Sequence, residues 1–417
     1  MNKIEFGLSI FLLGTIIAGM KMTPPVQKLT PPQAQKIPKD VTVHHDTRID
    51  DYYWLKERDT QPVLDYLKAE NDYTFAKMKH TELLQKTLYN EMRGRIKEDD
   101  TTVPYKFGNY MYYTRTEENL QYDIYCRKLG NSSGDEEITL NMNEMAKKHD
   151  YIDLSAYKIS PNEKLLALTI DTSGAELHKL IVKDIKTGEI LDDYLSNLDG
   201  SVEWANDNKT LFYTVLDKAH RSYQLWRHEL GNEQSDDVLV FQEDDDRFSV
   251  GLHRTKSGEF LKMDLESQIT TEVYLLDRND PFGEWKLVQP REQGVEYYVY
   301  HHGNYLYQIT NKDAINFKMV RRTLKSGKED EIIPNRDKTT LDDVSMFKNH
   351  MAVLERVNGN LEIRLFNFED ESWYNIEMNE DIYSVTFEEN YDWNSDFFRF
   401  GYGSFKTPYC VYDIDFK

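Results

Sequence analysis

Cysteine is nearly absent, with only Cys126 and Cys410 in 417 residues. Two thiols cannot build a disulfide framework or a four-cysteine zinc site, so the fold must rest on apolar burial and backbone pairing. Basic residues are outnumbered, 51 Lys and Arg against 73 Asp and Glu, which gives a net charge of −22. Nucleic-acid binding needs concentrated cations against phosphate. The balance therefore argues against nucleic acid and leaves cationic peptides or proteins as partners that an acidic field would attract. There are 12 prolines and 20 glycines, which excludes collagen-like and low-complexity classes. No Gly-x-x-x-x-Gly-Lys-Ser/Thr loop and no dinucleotide fingerprint occurs, so no cofactor is expected.

The amino terminus differs from everything after it. Lys3 precedes an apolar run from Phe6 to Met20, followed by Lys21. The run is short for a membrane span but suits the core of a signal peptide. Small residues at Ala18 and Gly19 suit a nearby cleavage site, so residues 1–22 are read as signal peptide-like and the protein as exported to the periplasm or exterior. An uncleaved anchor, or a cytoplasmic protein with an incidental apolar run, is the alternative. Ile17-Ala18-Gly19-Met20 has the shape of a lipoprotein box with Met in place of cysteine, which excludes lipid attachment there. Residues 23–40, with Pro24, Pro25, Pro31, Pro32 and Pro38, read as a semi-extended linker.

Two amphipathic patterns follow, within a helical segment expected over 41–98. Pro62 marks a helix start, and Leu64, Leu67, Asn71, Phe75 and Met78 recur at spacings of three and four. Leu84, Leu88 and Met92 recur at spacings of four. Beyond Gly94 the pattern changes to short alternating strands, in keeping with 28 Tyr and 13% aromatic residues. Units of one grammar open at Tyr105, Tyr157, Val202, Val250, Tyr297, Val344 and Val385, about 41–52 residues apart, close to the roughly 40–50 of propeller repeats. Each has a short strand, a polar turn, an apolar strand, a loop, an aromatic strand and an outer strand. The turns include Pro161-Asn162-Glu163, Asn206-Asp207-Asn208 and Lys256-Ser257-Gly258, rich in residues that tolerate hairpin φ values. The expectation is a mainly β fold, a seven-bladed β-propeller over 99–417. A β-sandwich with insertions is the alternative.

Several residues invite a chemical reading. His228-Glu229-Leu230-Gly231-Asn232 lacks the second histidine of a zinc-hydrolase helix, and reads as a charged strand end. His44-His45 and His301-His302, if extended, point to opposite faces and do not converge on a metal. Glu243-Asp244-Asp245-Asp246 lacks the spacing of a calcium loop and reads as a solvated loop open to weak cation or basic-peptide contact. Arg321-Arg322 and Lys325 are too diluted by acids for a nucleic-acid surface. Tyr110 to Tyr113 and Tyr297 to Tyr300 alternate at strand period and read as packing between blades. No catalytic, cofactor-binding or metal-binding residues are assigned.

The string from His44 to Thr74, HHDTRIDDYYWLKERDTQPVLDYLKAENDYT, resembles the opening of the oligopeptidase B group in the prolyl oligopeptidase family of serine peptidases. The resemblance continues through VEWANDNKTLFYTV and YQLWRHELG to FRFGYGSFKTPYCVYDID, and covers about residues 40–417. It implies an N-terminal helical segment and a seven-bladed propeller ahead of an α/β-hydrolase domain that carries Ser, Asp and His. It also implies short peptides cut after Lys or Arg, a propeller that caps the active site, and helices that pack on the hydrolase domain. That domain would begin beyond Lys417, so the chain is read as a truncated, inactive portion. The nearest nucleophile elbow, Gly401-Tyr402-Gly403-Ser404-Phe405, is out of frame, and the resemblance puts Ser404 on a propeller strand. A stand-alone exported propeller that binds a peptide or protein partner is the rival reading. No stable membrane insertion is expected.

Overall fold

The computed structural model describes residues 29–130 and 133–416. The apolar run at 6–20 and residues 23–28 lie outside them. The described chain divides into two compact units, with the boundary between Lys97 and Glu98.

The first unit is not wholly helical. Its linker gives way to a hairpin, Lys39–Val43 against Asp46–Asp50. His44 and His45 are its two turn residues, with φ of 51° and 65°. They are therefore not extended, as the sequence reading supposed. A two-residue turn that matches strand twist needs both central residues in the left-handed region, and Thr42 and Thr47 clasp across it through their hydroxyls at 2.9 Å. Helix α1 spans Gln61–Met78 with Pro62 in its first turn, where the missing N–H costs nothing. Helix α2 spans Glu82–Arg93. Trp54 donates its indole N–H to the Gln35 carbonyl at 2.8 Å and meets the Tyr66 ring edge-on, which ties the entry segment to α1. Val63 is buried, but Leu64, Leu67, Phe75, Met78, Leu84, Leu88 and Met92 all stand exposed.

The second unit is propeller-like. Every repeat predicted from the sequence opens on the first, innermost strand of a unit: Tyr105–Phe107, Asp153–Ile159, Ile190–Trp204, Ser249–Arg254, Tyr297–His302, Thr339–Met346 and Ser384–Phe387. The strands do not, however, form seven separate blades. Five separate blades, four with four strands and one with three, accompany a single seven-stranded sheet. That sheet takes up the units that open at Tyr157 and Val202. Its 15-residue strand Ile190–Trp204 pairs with His178–Asp184 along its first part and with Thr210–Leu216 along its last. Outer and inner strand of neighbouring units are thus one strand, bent at register shifts on both sides of Leu198.

Apolar clusters join neighbouring sheets in sequence. Tyr112, Leu140, Ile159 and Leu168 join the first blade to the seven-stranded sheet. Phe212, Leu225, Val250 and Leu261 continue from there to the next blade. Val273, Leu275, Tyr297 and Val299 follow, then Tyr307, Met319, Val344 and Val353, then Phe347, Leu365, Val385 and Phe398. The seam between the last blade and the first has no such cluster among the described residues. It is closed instead by polar and aromatic groups. Arg399 holds Asp413 through Nε and Nη2 at 2.7 and 2.9 Å and reaches the Pro104 carbonyl through Nη1 at 2.8 Å. Tyr105 packs on Tyr391, with ring centroids 4.9 Å apart. Cys126 and Cys410 are both free thiols.

Arg399 is therefore the bridge whose loss should be felt at the seam first. Arg399→Met is expected to cost about 2–3 kcal/mol in a urea melt, since it strands a carbonyl and a half-exposed carboxylate. Hydrogen exchange should accelerate in Tyr105–Phe107 and Phe397–Gly403 while Phe260–Glu266 stays protected. Uniform acceleration in all blades would show that the seam is not the weak point.

Candidate functional site: the mouth of the ring

The turn after each innermost strand reaches the next turn around the ring. Asn109 donates its backbone and side-chain N–H groups to Glu163, at 2.6 and 2.8 Å. Asn162 N–H donates to Asn208 Oδ1 at 2.7 Å, and Asn206 Nδ2 reaches the Gly258 carbonyl at 3.4 Å. The Ser257 hydroxyl donates to His301 Nδ1 at 2.8 Å, because His301 Nε2 is itself donating to Gly303 O at 2.7 Å. His302 donates to Lys348 O, and Lys348 N–H to Trp393 O, both at 2.9 Å. Lys106 closes the circuit on Asp392 at 2.9 Å. The turns predicted at Pro161, Asn206 and Lys256 thus form part of one polar collar, and Glu163, Asn208 and Gly258 take the left-handed conformation at matching positions. Gly108, with φ +58°, permits its first link: a Cβ there would lie 1.8 Å from Glu163 Oε1.

The collar encloses a cavity of about 900 Å³ at the carboxyl ends of the innermost strands. Nine residues separate Phe387 from Phe397 in the last blade, against two to five at the other inner hairpins. Residues 388–394 of this longer loop form one wall of the cavity as a strap. The strap is pinned by the Lys106–Asp392 ion pair on one side and by Lys348 on the other. Arg254, Lys256 and Arg278 also line the cavity. Burial pushes Lys256 down to about 6, with Asp392 acting weakly the other way. Its Nζ lies 3.1 Å from Ser345 Oγ and 3.2 Å above the Phe347 ring. A cation–π contact of about 2 kcal/mol acts against that downward push.

Of the residues singled out in the sequence for chemistry, His301 and His302 belong to the collar, and the others do not gather there. Ser404 follows Phe397–Gly403 and donates to Glu380 at 2.8 Å, while Lys406 and Thr407 N–H groups donate to its Oγ. It closes a turn and has no histidine partner. His301 and His302 do diverge. His301 faces Ser257 and Phe260 of one neighbouring blade, and His302 stacks on Phe368 of the other at 3.9 Å. Glu243 departs from the solvated-loop reading. It is 6% exposed and pairs with Arg291 at 2.5 Å, while Arg221 grips the carbonyls of Glu243, Asp245 and Phe248. The Tyr110 and Tyr297 clusters pack between strands, with Tyr112 and Tyr297 buried. Arg321 lies near Asp330, and Arg322 donates to Val288 O at 2.9 Å, bridging two blades.

His228 lies at a strand end, next to last in Ser222–Glu229, but it is fully buried. Nδ1 lies 2.7 Å from Asp237 and Nε2 3.2 Å from Asp193, and Tyr213 donates to the same Asp237 at 2.8 Å. Burial by itself pulls the imidazolium down, yet the two carboxylates outweigh it and hold His228 above the ordinary 6.5. Sequence reasoning missed this cluster because Asp193 lies 35 residues away. It also missed the strap, although the lengthened hairpin in the last repeat is a visible signal. Among the described residues no group of three or more His, Cys, Asp or Glu is arranged to hold a metal. None of their helices is long and apolar enough to cross a membrane.

Comparison with known proteins places this geometry in context. Residues 32–417 match the family described as prolyl oligopeptidase, N-terminal beta-propeller domain. The chain is 31% identical over 396 residues to Protease 2 of Moraxella lacunata, covering 93% of the chain and 57% of that protein. It is 31% identical over 433 aligned positions to dipeptidyl aminopeptidase BI of Pseudoxanthomonas mexicana, covering 98% of the chain and 60% of the relative. Oligopeptidase B from Leishmania major superposes with a TM-score of 0.87 at 27% identity, over 93% of this chain and 59% of that one. The chain thus spans less than two thirds of the length of the relatives it matches.

The His228 cluster makes stability depend on pH in a stated direction. A histidine raised in the folded state stabilises fully below its unfolded value near 6.5, and that contribution is lost as pH climbs through the folded value. His228→Gln is expected to cost on the order of 3 kcal/mol at pH 6 and less at pH 9. Urea melts at the two pH values would show it. An equal cost at both would mean that the ring acts only by packing.

Proposed function

Because the chain belongs to the prolyl oligopeptidase family, through that family's N-terminal propeller domain, we propose that it is the non-catalytic, substrate-gating portion of an oligopeptidase B-like serine endopeptidase acting on short peptides after Lys or Arg. The observation that carries this reading is the collared mouth. A cavity of about 900 Å³ with a pinned strap along one wall admits an extended peptide and rejects a folded domain. The net charge of −22 favours approach of cationic peptides at long range. Acyl transfer needs an activated serine, a histidine base, an orienting carboxylate and oxyanion donors in one geometry. Among the described residues Ser404 has none of these but a carboxylate, so these residues are inert alone and rely on a hydrolase domain. The exposed stripe of α1 and α2 suits docking to such a domain.

The reading is tested with the full chain and with a chimera that joins it at Phe416 to the remainder of Moraxella lacunata Protease 2. With a fluorophosphonate probe and Arg and Lys esters, the chain alone should show neither labelling nor turnover. The chimera should cleave short peptides after Lys or Arg and spare a folded protein that carries the same site. Labelling of the chain alone at one serine, with turnover that the probe abolishes, would overturn the claim of inertness. Equal cleavage of folded protein would overturn gating. A chain that binds peptides but supports no chimera activity would favour the stand-alone binding propeller.

Export is part of the proposal and rests on the Phe6 to Met20 run. Intact-mass analysis of protein from the native host should find a chain that begins after about residue 20. A soluble cytoplasmic chain that retains Met1 would refute it.

A further inference from the structure

The mouth holds two arginines that make no ion pair with a carboxylate among the described residues. Arg254 ends the strand Ser249–Arg254, and its guanidinium sits over the Phe107 ring at 4.7 Å. Arg278 follows the strand Thr271–Asp277, is 4% exposed, and commits only Nε, to the Trp204 carbonyl at 2.7 Å. Both line the cavity, and neither has a carboxylate within ion-pair distance among the described residues. Burial first, and then repulsion from Arg254, push Arg278 down to about 10, with Glu203 acting weakly the other way. Two guanidinium groups that feel each other in a partly desolvated cavity are unfavourable unless a counter-charge joins them.

None of the acids of the mouth forms an ion pair with either arginine, although Glu203 acts weakly on Arg278 from a distance. Glu203 is held by Lys158 and Asp392 by Lys106. Glu388 is bonded by Tyr409, and Asp343 by Tyr300 and the Val344 N–H. Glu389 is exposed to solvent on the strap. Lys256 is turned to Ser345 and Phe347. What remains is two guanidinium groups on the cavity wall without an ion-pair partner, forked and planar donors of the kind that match a carboxylate or phosphate in bidentate fashion.

We propose that the mouth is a binding site for a compact oxyanion, held by Arg254 and Arg278. A carboxylate at the C-terminus of a short peptide and free inorganic phosphate share this chemistry. The oxyanion site stands apart from the peptidase reading, and only the choice of a peptide carboxylate rests on it. A peptide bound in this way enters the ring tail-first, its carboxylate on the arginine wall and its remaining length beside the strap.

Calorimetric titration of the full chain at constant ionic strength tests this without any peptidase readout. The probes are inorganic phosphate, N-acetyl-trialanine, and the same tripeptide as its C-terminal amide. At least one oxyanion should saturate a single site, and Arg254→Gln should weaken it tenfold or more. Arg278→Gln should do the same, but it also removes the Trp204 contact. Arg254→Gln, on a half-buried side chain and checked by circular dichroism, therefore decides the matter. Tenfold preference for the free acid over the amide assigns the peptide carboxylate. Saturable phosphate binding with both peptides equally weak supports the site and assigns the free anion. No saturable binding by phosphate or the free acid, or binding that Arg254→Gln leaves unchanged, overturns the proposal.

Discussion

A ring of sheets with no covalent staple must hold its own circumference, and in this protein the turns after the innermost strands carry much of that constraint. Each turn bonds the next: Asn109 to Glu163, Asn162 to Asn208, Asn206 to Gly258, Ser257 to His301, His302 to Lys348, Lys348 to Trp393, Lys106 to Asp392. Individual exposed hydrogen bonds contribute about 1 kcal/mol or less, so the collar does not supply the bulk of stability. Its role is to set the relative positions of the turns, and hence the shape of the mouth. The apolar clusters between sheets provide the driving force, while the collar fixes which residues face the axis.

The two kinds of interaction are unevenly distributed around the ring. Apolar clusters bind every neighbouring pair of sheets except the last and the first, where Arg399, Tyr105, Tyr391 and the Lys106–Asp392 pair take over. Polar contacts of this kind weaken with solvent access and salt, so the joint that closes the ring is also the one most easily loosened. The strap lies at the same joint. Closure of the ring and one wall of the mouth are therefore built from shared residues, and any loosening of one alters the other.

Charge is segregated in the same way at two scales. The chain as a whole is strongly acidic, which acts at long range on anything that approaches. Inside the mouth, Glu203 and Asp392 are paired with lysines, while Arg254 and Arg278 have no ion-pair partner among the described residues. On the reading proposed above, a zwitterionic peptide would meet an outer field that attracts its cationic groups and an inner wall that suits its carboxylate. Buried ion clusters elsewhere serve the fold instead. His228 between Asp193 and Asp237 cross-links distant parts of the seven-stranded sheet, and Glu243 with Arg291 and Arg221 pins the acidic loop.

How much of this the sequence disclosed follows from the range of the interactions. Strand alternation and turn chemistry are local, so the repeat openings at Tyr105, Tyr157, Val202, Val250, Tyr297, Val344 and Val385 fell on the innermost strands, and Pro62 marked α1. The same locality made HHDTRIDDYYWL and its companions recognisable as a family signature. Sheet continuity is not local: nothing in residues 190–204 announces that one strand will serve two units. The hairpin at His44-His45 was read as extended because two adjacent left-handed residues leave no mark in hydropathy. Burial of His228 and Glu243, and the placing of Arg254 and Arg278 on one cavity, depend on partners that are distant along the chain. The sequence by itself determined the strand periodicity, the turn sites and the family, because neighbours along the chain decide those. Tertiary structure alone decided which charges are paired, which are left open, and where the mouth lies, because Coulomb and hydrogen-bond energies depend on distances in space that the chain order does not contain.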